Sequence, residues 1–304
     1  MPIDSIKKEE ASHRSGFVAI IGRPNVGKST LLNQLLGEKI AIVTPKPQTT
    51  RNRIRGIKTA PNAQIIFLDT PGIHRASSLI NKRMVETALQ TLGEVDAILW
   101  LLDATRKPGQ EDADIATVLS QSVTTALILV NKIDLVAKRE LLPLMEKCSA
   151  LLPGREIVPI SALKRENVDL VLELLIKQLP EGPRYYPEDE ITDQTERFIA
   201  AEIIREKIFL LTHEEIPYYT AVGIDEFREK DDKNLIVITA TIYTDRESHK
   251  PILIGKRGAM LKEVGTRARE ELERLLGCKV FLELFVKVQQ GWTQNPRILT
   301  EFGL

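Results

Sequence analysis

Short apolar runs alternate with amphipathic stretches through the first 180 residues of the chain. The apolar runs are hydrophobic at nearly every position, which is typical of strands covered on both faces of a sheet. They span residues 17–22, 63–68, 97–103, 126–131 and 157–160. Between them, helical periodicity covers residues 28–36, 80–93, 112–120, 139–151 and 167–178. Strands and helices in alternation predict an α/β domain with a doubly wound, mostly parallel sheet.

The pattern changes near residue 180. Three prolines, a glycine and a short acidic run between residues 180 and 190 predict a stiff, polar connection. Beyond it the predicted order is a helix (197–211), two strands (218–227 and 234–243, joined by a turn at 230–234), a short helix, a second helix (260–276) and a last strand (279–288). We therefore predict a tail at 1–15, an α/β domain at 16–180, a linker at 181–195 and a smaller α+β domain at 196–304.

Composition restricts where the chain can bind a polyanion. Its 42 basic and 42 acidic residues cancel, so any nucleic-acid site must be a local patch. The two cysteines, Cys148 and Cys278, lack metal-type spacing and are typical of buried thiols in a reducing cytosol. The apolar runs are much shorter than the roughly 20 residues of a spanning helix, which predicts a soluble cytoplasmic protein. No heptad pattern indicates a dimer, so we expect a monomer.

A phosphate-binding motif follows the first predicted strand. The sequence matches GxxxxGK[ST] between a strand and a helix, where backbone N–H groups and the helix N-terminus can surround phosphates. Its residues are Gly22, Arg23, Pro24, Asn25, Val26, Gly27, Lys28 and Ser29, and Thr30 follows them in the helix. We expect Lys28 to reach the terminal phosphates and Ser29 to bind Mg²⁺.

Three further loops follow later strands in the order expected of a GTP site. The first contains Asp69, Thr70, Pro71 and Gly72, the second Asn131, Lys132 and Asp134, and the third Ser161, Ala162 and Leu163. Asp69 can hold the Mg²⁺ shell through water, and the Gly72 amide can sense a γ-phosphate. Asp134 can accept two hydrogen bonds from guanine that adenine does not offer, and the Ala162 amide can donate to the guanine oxygen. This set resembles the translation-factor-related class of GTPases.

The segment 44–55 has no regular pattern and predicts a mobile loop. Its Thr49-Thr50-Arg51 sequence resembles the first switch loop of that class, which makes Thr50 the expected Mg²⁺ ligand and Thr49 the alternative. The simpler interpretation is that both threonines cap turns. Lys28, Thr50 and Gly72 form the predicted catalytic set, and Ser29, Thr50 and Asp69 the predicted metal set. Small signalling GTPases carry a water-orienting glutamine where this chain has Ile73, so we expect slow intrinsic hydrolysis.

Asn25 raises the question of a second cation. In related GTPases with a Pro-Asn-x-Gly-Lys-Ser sequence, an asparagine here helps to bind K⁺. The resemblance implies K⁺ beside Mg²⁺ as a cofactor, and the alternative is that Asn25 only favours the geometry of the turn.

The second domain contains a glycine-flanked basic tetrapeptide, Gly255-Lys256-Arg257-Gly258, preceded by Ile254 and followed by Lys262. Glycines let a nucleic-acid backbone approach closely, and the basic side chains can meet phosphates. Residues 246–269 contain seven basic and two acidic residues, which is a local patch on a neutral chain. The pattern favours single-stranded RNA, and the alternative is a helical corner with glycine caps.

The order of elements in the second domain resembles a type II KH domain. With the GTPase domain, Pro-Gln-Thr-Thr-Arg at 47–51, Asp-Thr-Pro-Gly-Ile-His at 69–74 and Gln-Gly-Trp at 290–292, the chain resembles the Era family of bacterial GTPases. That resemblance implies GTP and GDP as ligands, the 3′ end of 16S rRNA and the 30S subunit as partners, and a role in 30S assembly. Two alternatives stay open: an RNA-binding protein in which nucleotide is structural, and a signalling GTPase with a peripheral inner-membrane fraction.

Overall fold

The computed structural model describes residues 13–73, 78–230 and 234–302. Its larger sheet has six strands in the order β2-β3-β1-β4-β5-β6. All neighbours are parallel except β2 and β3, which pair antiparallel at one edge. The strands are β1 (Arg14–Gly22), β2 (Ile54–Ala60), β3 (Ala63–Asp69), β4 (Ala97–Asp103), β5 (Thr125–Asn131) and β6 (Ile157–Pro159). The doubly wound, mostly parallel sheet is confirmed.

Helices cover both faces of this sheet, which explains why β3 and β4 are buried at every position. One face packs on α1 (Lys28–Leu36) and α5 (Val168–Gln178). The other packs on α3 (Gln110–Ser120) and α4 (Lys138–Leu151), with α2 (Leu79–Thr91) at the end beside the second domain. The carboxyl ends of β1, β3 and β5 therefore lie at one edge, where such sheets bind ligands.

The edge strand β2 is absent from the sequence prediction, which assigned its first two residues to the irregular loop at 44–55. That assignment is wrong at Ile54 and Arg55, because both pair with β3. The segment 54–60 contains a glycine and two basic residues, and only Ile54, Gly56 and Ile57 are buried. Edge strands need only one neighbour and one buried face, so their apolar signal is weak. β1 also starts at Arg14, two residues before the predicted domain start.

The second sheet has three strands in the order β7-β8-β9, with β7–β8 antiparallel and β8–β9 parallel. Its elements in chain order are α6 (Glu196–Leu211), β7 (Thr220–Lys230), β8 (Leu235–Thr244), α7 (Lys250–Ile254), α8 (Ala259–Leu276), β9 (Lys279–Val288) and α9 (Pro296–Glu301). Helices α6, α7 and α8 pack on one face around Ile204, Ile238 and Leu272. The predicted turn at 230–234 falls largely on residues 231–233, which lie outside the described residues.

The connection between the two sheets is attached to the first sheet along much of its length. Gln64 accepts hydrogen bonds from the backbone N–H groups of Tyr185 and Tyr186 through its Oε1, at 2.7 and 2.9 Å. Ile57 N–H donates to the Ile191 carbonyl at 2.8 Å. These bonds lie beside β2 and β3, so the connection follows the outer edge of the six-stranded sheet. Within the described residues, no helix is both long and apolar enough to cross a membrane.

Candidate functional site

The loop between β1 and α1 curls around its own lysine. Gly22 and Gly27 have φ values of 148° and 103°, and Asn25 also has a positive φ of 62°. A side chain at Gly27 would meet Asn131 Nδ2 at 2.3 Å, so this position requires glycine. Lys28 is buried, and its Nζ donates to the carbonyls of Gly22 at 3.2 Å and Arg23 at 2.9 Å. The ammonium group therefore lies inside the loop that the motif predicts to surround phosphates.

The three residues of the predicted metal set come together beside Lys28. Ser29 Oγ donates to Asp69 Oδ2 at 2.7 Å and lies 2.8 Å from Thr50 Oγ1. Thr49 instead donates to the Lys46 carbonyl at 2.9 Å. Asp69 is fully buried, and its Oδ1 has no hydrogen-bond partner among the described residues. Hydroxyl and carboxylate oxygens are the ligands that Mg²⁺ prefers, and an unpartnered buried carboxylate oxygen fits such a cation.

Burial shifts the pKa values of the two central charged groups, Lys28 and Asp69, in the direction that favours their neutral forms. It raises the pKa of Asp69 to about 6, opposed by the Lys28 charge and by hydrogen bonds from Ser29 and Thr50. Burial likewise lowers the pKa of Lys28 to about 8, with the Asp69 charge acting in the opposite direction. Both shifts arise because a low-dielectric site disfavours the charged form. A bound cation would lower the pKa of Asp69, and a bound polyphosphate would raise the pKa of Lys28.

The Gly72 turn and the segment that carries Thr50 complete a cavity of about 860 Å³ at the carboxyl edge of the sheet. Gly72 lies so close to the phosphate loop that a side chain there would meet Pro24 N at 2.7 Å. Thr70 Oγ1 donates to the Ile20 carbonyl, which holds the Asp69–Gly72 turn on β1. Besides Gly72, the cavity is lined by residues of 23–30, 42–50, Asp103, Arg106, Glu111 and Lys132.

Asn131 connects the phosphate loop to the two predicted base-binding loops. Its Nδ2 donates to the Val26 carbonyl at 2.8 Å, and its Oδ1 accepts from the Ala162 N–H at 2.9 Å. The Ala162 amide expected to face guanine is thus paired with Asn131 in this structure. Ser161 Oγ donates to Asp134 Oδ1 at 2.6 Å, which orients that carboxylate, whereas Leu163 is exposed.

Asp103 belongs to this site but was missed by the sequence prediction. It ends β4, and its Oδ2 accepts from Lys132 Nζ at 2.6 Å, while Lys132 also donates to the Asn25 carbonyl at 2.7 Å. Burial alone would raise the pKa of Asp103, but hydrogen bonds from Lys132 and Thr105 lower it below its ordinary value. A polar residue at the carboxyl end of a buried strand was the available signal.

In the second unit, the basic tetrapeptide forms a tight exposed corner between α7 and α8. Gly255 and Gly258 have φ values of 72° and 81°, and Arg257 also has a positive φ of 53°. A side chain at Gly255 would meet Met260 N at 2.7 Å, whereas the space beside Gly258 is open. Lys256, Arg257 and Lys262 are exposed, and Ile254 ends α7 beneath them. The corner therefore presents cations around a backbone that a ligand can approach.

Both the nucleotide site and the glycine corner lie in segments of this chain that are similar to known proteins. Residues 17–132 match a family model described as 50S ribosome-binding GTPase, and residues 215–293 match a KH domain model. The chain is 56% identical over 290 residues to GTPase Era of Syntrophus aciditrophicus, an alignment that covers 95% of each protein. GTPase Era of Geobacter metallireducens is 55% identical over 290 residues, with 95% of this chain and 97% of that protein covered.

The chain belongs to the Era family of GTPases.

Solved Era structures show the same arrangement of domains. An Aquifex aeolicus Era variant bound to GDP·AlF4⁻ has 48% identity and a TM-score of 0.92, with 95% of this chain and 99% of that chain covered. An Era complex with MgGDPNP and nucleotides 1506–1542 of 16S ribosomal RNA has 47% identity and the same TM-score of 0.92, covering 96% and 99%. The α/β GTPase fold followed by a KH domain is thereby confirmed, as is the assignment of the chain as a GTPase.

In this Era-family chain, the loop that carries Thr50 is attached to the KH unit. Arg51 is buried, and its guanidinium donates to the carbonyls of Thr220 at 2.7 Å, Tyr218 at 2.8 Å and Pro217 at 3.2 Å. Burial lowers the pKa of Arg51 to about 9, assisted by the charge of Arg205. Residues 50 and 51 thus join the nucleotide cavity to the start of β7.

Three more groups of contacts hold the same loop and its surroundings on the KH unit. Lys46 Nζ donates to the carbonyls of Phe209 and Thr212 at the end of α6. Lys39 pairs with Glu206 at 2.8 Å and with Glu271 at 2.6 Å. On the other side, α2 contributes Ile80 and Met84 to a cluster with Trp292 and Leu299 from the C-terminal segment. The loop that carries Thr50 and its surroundings therefore contact α6, β7 and the C-terminal segment.

Proposed function

We propose that the chain is a GTP-dependent switch that binds single-stranded RNA, specifically the 3′ end of 16S rRNA, during assembly of the 30S subunit. This proposal rests on the contacts of two adjacent residues, Thr50 and Arg51, one of which lies in the nucleotide site while the other binds the KH unit. Thr50 lies 2.8 Å from Ser29 in the cation set, and Arg51 donates to three carbonyls of the KH unit. The Era complex with MgGDPNP and a 16S rRNA segment supports both ligand classes.

In this proposal the nucleotide site uses the predicted residues in distinct roles. Lys28 neutralises the terminal phosphates, Ser29 and Thr50 are direct Mg²⁺ ligands, and Asp69 holds the coordination shell through water. Bound Mg²⁺ supplies charge neutralisation on the phosphate oxygens. Asp134, oriented by Ser161, accepts from guanine, and Gly72 senses the γ-phosphate through its amide. With GTP bound, these contacts order the segment that contains Thr50 and Arg51, and hydrolysis releases it.

Slow hydrolysis follows from Ile73. Its N–H donates to the Gly22 carbonyl at 3.1 Å, and its side chain packs with the helices of the second sheet face. An aliphatic side chain cannot orient an attacking water, so the intrinsic rate depends on electrostatic stabilisation by the phosphate loop.

Potassium is the second cation of the proposal, with Asn25 as its protein ligand. Asn25 Nδ2 donates to the Pro45 carbonyl at 2.7 Å, so this side chain already joins the phosphate loop to the switch loop. Its positive φ of 62° equally suits the alternative, that Asn25 serves the turn. We expect hydrolysis to be about tenfold faster in KCl than in NaCl, the equivalent of about 1.4 kcal/mol. In Asn25→Ala the two rates should be equal; equal rates in the unmodified protein would favour the turn.

The RNA site of the proposal is the corner at 254–258 with Lys262. Gly258→Asp should weaken binding of an RNA with the sequence of 16S nucleotides 1506–1542 by about tenfold or more, since like charges in contact cost several kcal/mol. Gly277→Asp is a matched control, because Gly277 flanks the other end of α8, has a φ of 67° and also faces open space. Filter binding measures both variants with a GTP analogue. If Gly258→Asp binds the RNA as tightly as Gly277→Asp does, the RNA binds elsewhere. If the unmodified protein does not bind the RNA, the RNA function is refuted.

A further inference from the structure

The outer face of the KH sheet carries two aromatic rings that the fold does not use. Side chains of β9 alternate, so that Val280 and Leu284 face the helices while Phe281 and Phe285 point away from them. Phe281 is 56% exposed and Phe285 is 46% exposed. On the same face Glu283 lies between the two rings, and Lys279 and Lys287 flank them.

The spacing of these side chains breaks the apolar surface into two ring-sized areas. Four residues of extended chain place the rings about 13 Å apart. Val237 lies beside Phe281 and Thr241 beside Phe285 on the neighbouring strand, with Thr239 opposite Glu283. A protein-binding patch is usually continuous apolar area with a polar rim. Separate rings alternating with charges are better matched to individual bases, each of which has an aromatic face.

The outer face ends at β7, beside a basic cleft. Thr241 pairs with Gly223 on β7, and Gly223 lines a cleft of about 730 Å³ that β7 forms with α2 and α6. Phe285 is therefore two strand spacings, about 9.6 Å, from the edge of that cleft. Four arginines line it, Arg51, Arg53, Arg83 and Arg197, against two glutamates, Glu94 and Glu301. Cations beside exposed rings are the combination that binds single-stranded nucleic acid.

The glycine corner lies on α7 and α8, which cover the opposite face of the sheet. A KH loop clamps about four nucleotides. The RNA in the related Era complex spans nucleotides 1506–1542, so most of such an RNA must lie outside the corner. A second contact surface on the KH unit would hold part of that remainder. This step rests on the proposed RNA function.

We propose that the outer face of the β7–β8–β9 sheet is a second RNA-binding surface, on which two unpaired bases stack on Phe281 and Phe285. The phosphates of that strand lie toward the arginine cleft, and Glu283 can accept a hydrogen bond from the amino group of a cytosine between the rings. The stretch of RNA bound here is distinct from the one held at the glycine corner, and the ligand class is single-stranded RNA.

The test compares two RNAs on the full chain with a GTP analogue bound. The long RNA has the sequence of 16S nucleotides 1506–1542. The short RNA consists of about six nucleotides from the 3′ end of that sequence, a length sufficient for the glycine corner alone. The double variant Phe281→Ala/Phe285→Ala should bind the long RNA about tenfold or more weakly than the unmodified protein does, because each lost stacking contact lowers the affinity at least several-fold. Affinity for the short RNA should not change. Leu210→Ala is the control, since Leu210 is similarly exposed on α6, away from this face.

A tryptophan reporter supplies a second readout. Trp100 and Trp292 are both fully buried, so a tryptophan at position 285 would be the exposed one among the described residues. Phe285→Trp should retain affinity for the long RNA, and its fluorescence should be quenched by that RNA and not by the short one. Leu210→Trp should show no such quenching.

An unchanged affinity of the double variant for the long RNA would overturn the second surface. So would an equal loss of affinity for the long and the short RNA. Either result leaves the glycine corner and its Gly258→Asp test intact. Failure of the unmodified protein to bind either RNA would instead refute the proposed function.

Discussion

Lys28→Ala is expected to lower the rate of GTP hydrolysis by about 10²- to 10³-fold, the usual cost of removing one preorganised charge-stabilising donor. The Lys28 ammonium lies within the phosphate loop, on the carbonyls of Gly22 and Arg23, and beside the buried carboxylate of Asp69. A phosphate that enters the loop replaces those two carbonyls as the acceptor of the lysine hydrogen bonds. Without the ammonium group, the negative charge that develops in the transition state lacks its nearest cation from the protein.

Single-turnover hydrolysis measures this change, with nucleotide affinity determined separately. Lys58→Ala is a suitable control, because Lys58 lies on β2 and its Nζ donates to the Leu36 carbonyl at 3.4 Å. Hydrolysis within about threefold of the unmodified protein in Lys28→Ala would mean that the loop amides and Mg²⁺ stabilise the transition state alone. That result would remove Lys28 from the catalytic set.

Arg51→Ala should uncouple RNA affinity from the bound nucleotide. In the unmodified protein we expect RNA to bind about 5- to 150-fold more tightly with a GTP analogue than with GDP, the usual range of allosteric coupling. In Arg51→Ala the two affinities should agree within about twofold. The reason is that Arg51 joins the loop of Thr50 to the carbonyls of Pro217, Tyr218 and Thr220.

The same substitution removes one donor from each of three carbonyls, although Thr220 Oγ1 still donates to that of Pro217, so the variant will also lose stability by a few kcal/mol. A denaturant titration separates that loss from the coupling. Arg51→Lys keeps the charge but cannot fork between three acceptors, so its coupling should also be reduced. If Arg51→Ala remains folded and keeps the full ratio of affinities, the signal must pass through the other contacts between the two units, which are those of Lys46 and Lys39 and those of α2 with the Trp292 cluster.

The sequence predicted the parts of the fold that have a strong local signal. Strands β3 and β4 are buried at every position and largely apolar because helices cover both of their faces, and each nucleotide loop follows a strand of this sheet at its carboxyl end. The glycine corner could be recognised because positive φ at residues 255 and 258 demands glycine. Motif spacing and strand order together were therefore sufficient for the two binding loops.

Contacts between distant segments could not be predicted in the same way. Arg51 follows Thr50 directly, but its partners lie at 217–220, and no pattern in either segment specifies the other. The docking of residues 185–191 depends on Gln64, a polar residue inside an otherwise apolar strand. Trp292 is similar, since its burial against Tyr219 and α2 depends on how the two domains meet. Such contacts are properties of the assembled structure and have no periodicity of their own.

The central claim is that GTP binding changes how the KH domain meets RNA. The most direct test is the affinity of the full chain for an RNA with the sequence of 16S nucleotides 1506–1542, measured with a GTP analogue and then with GDP. We predict that the RNA binds about fivefold or more tighter with the GTP analogue than with GDP. In Gly258→Asp, its binding with the GTP analogue should be weaker by about tenfold or more. Equal affinities in the two nucleotide states would contradict the switch and indicate an RNA-binding protein in which the nucleotide is structural.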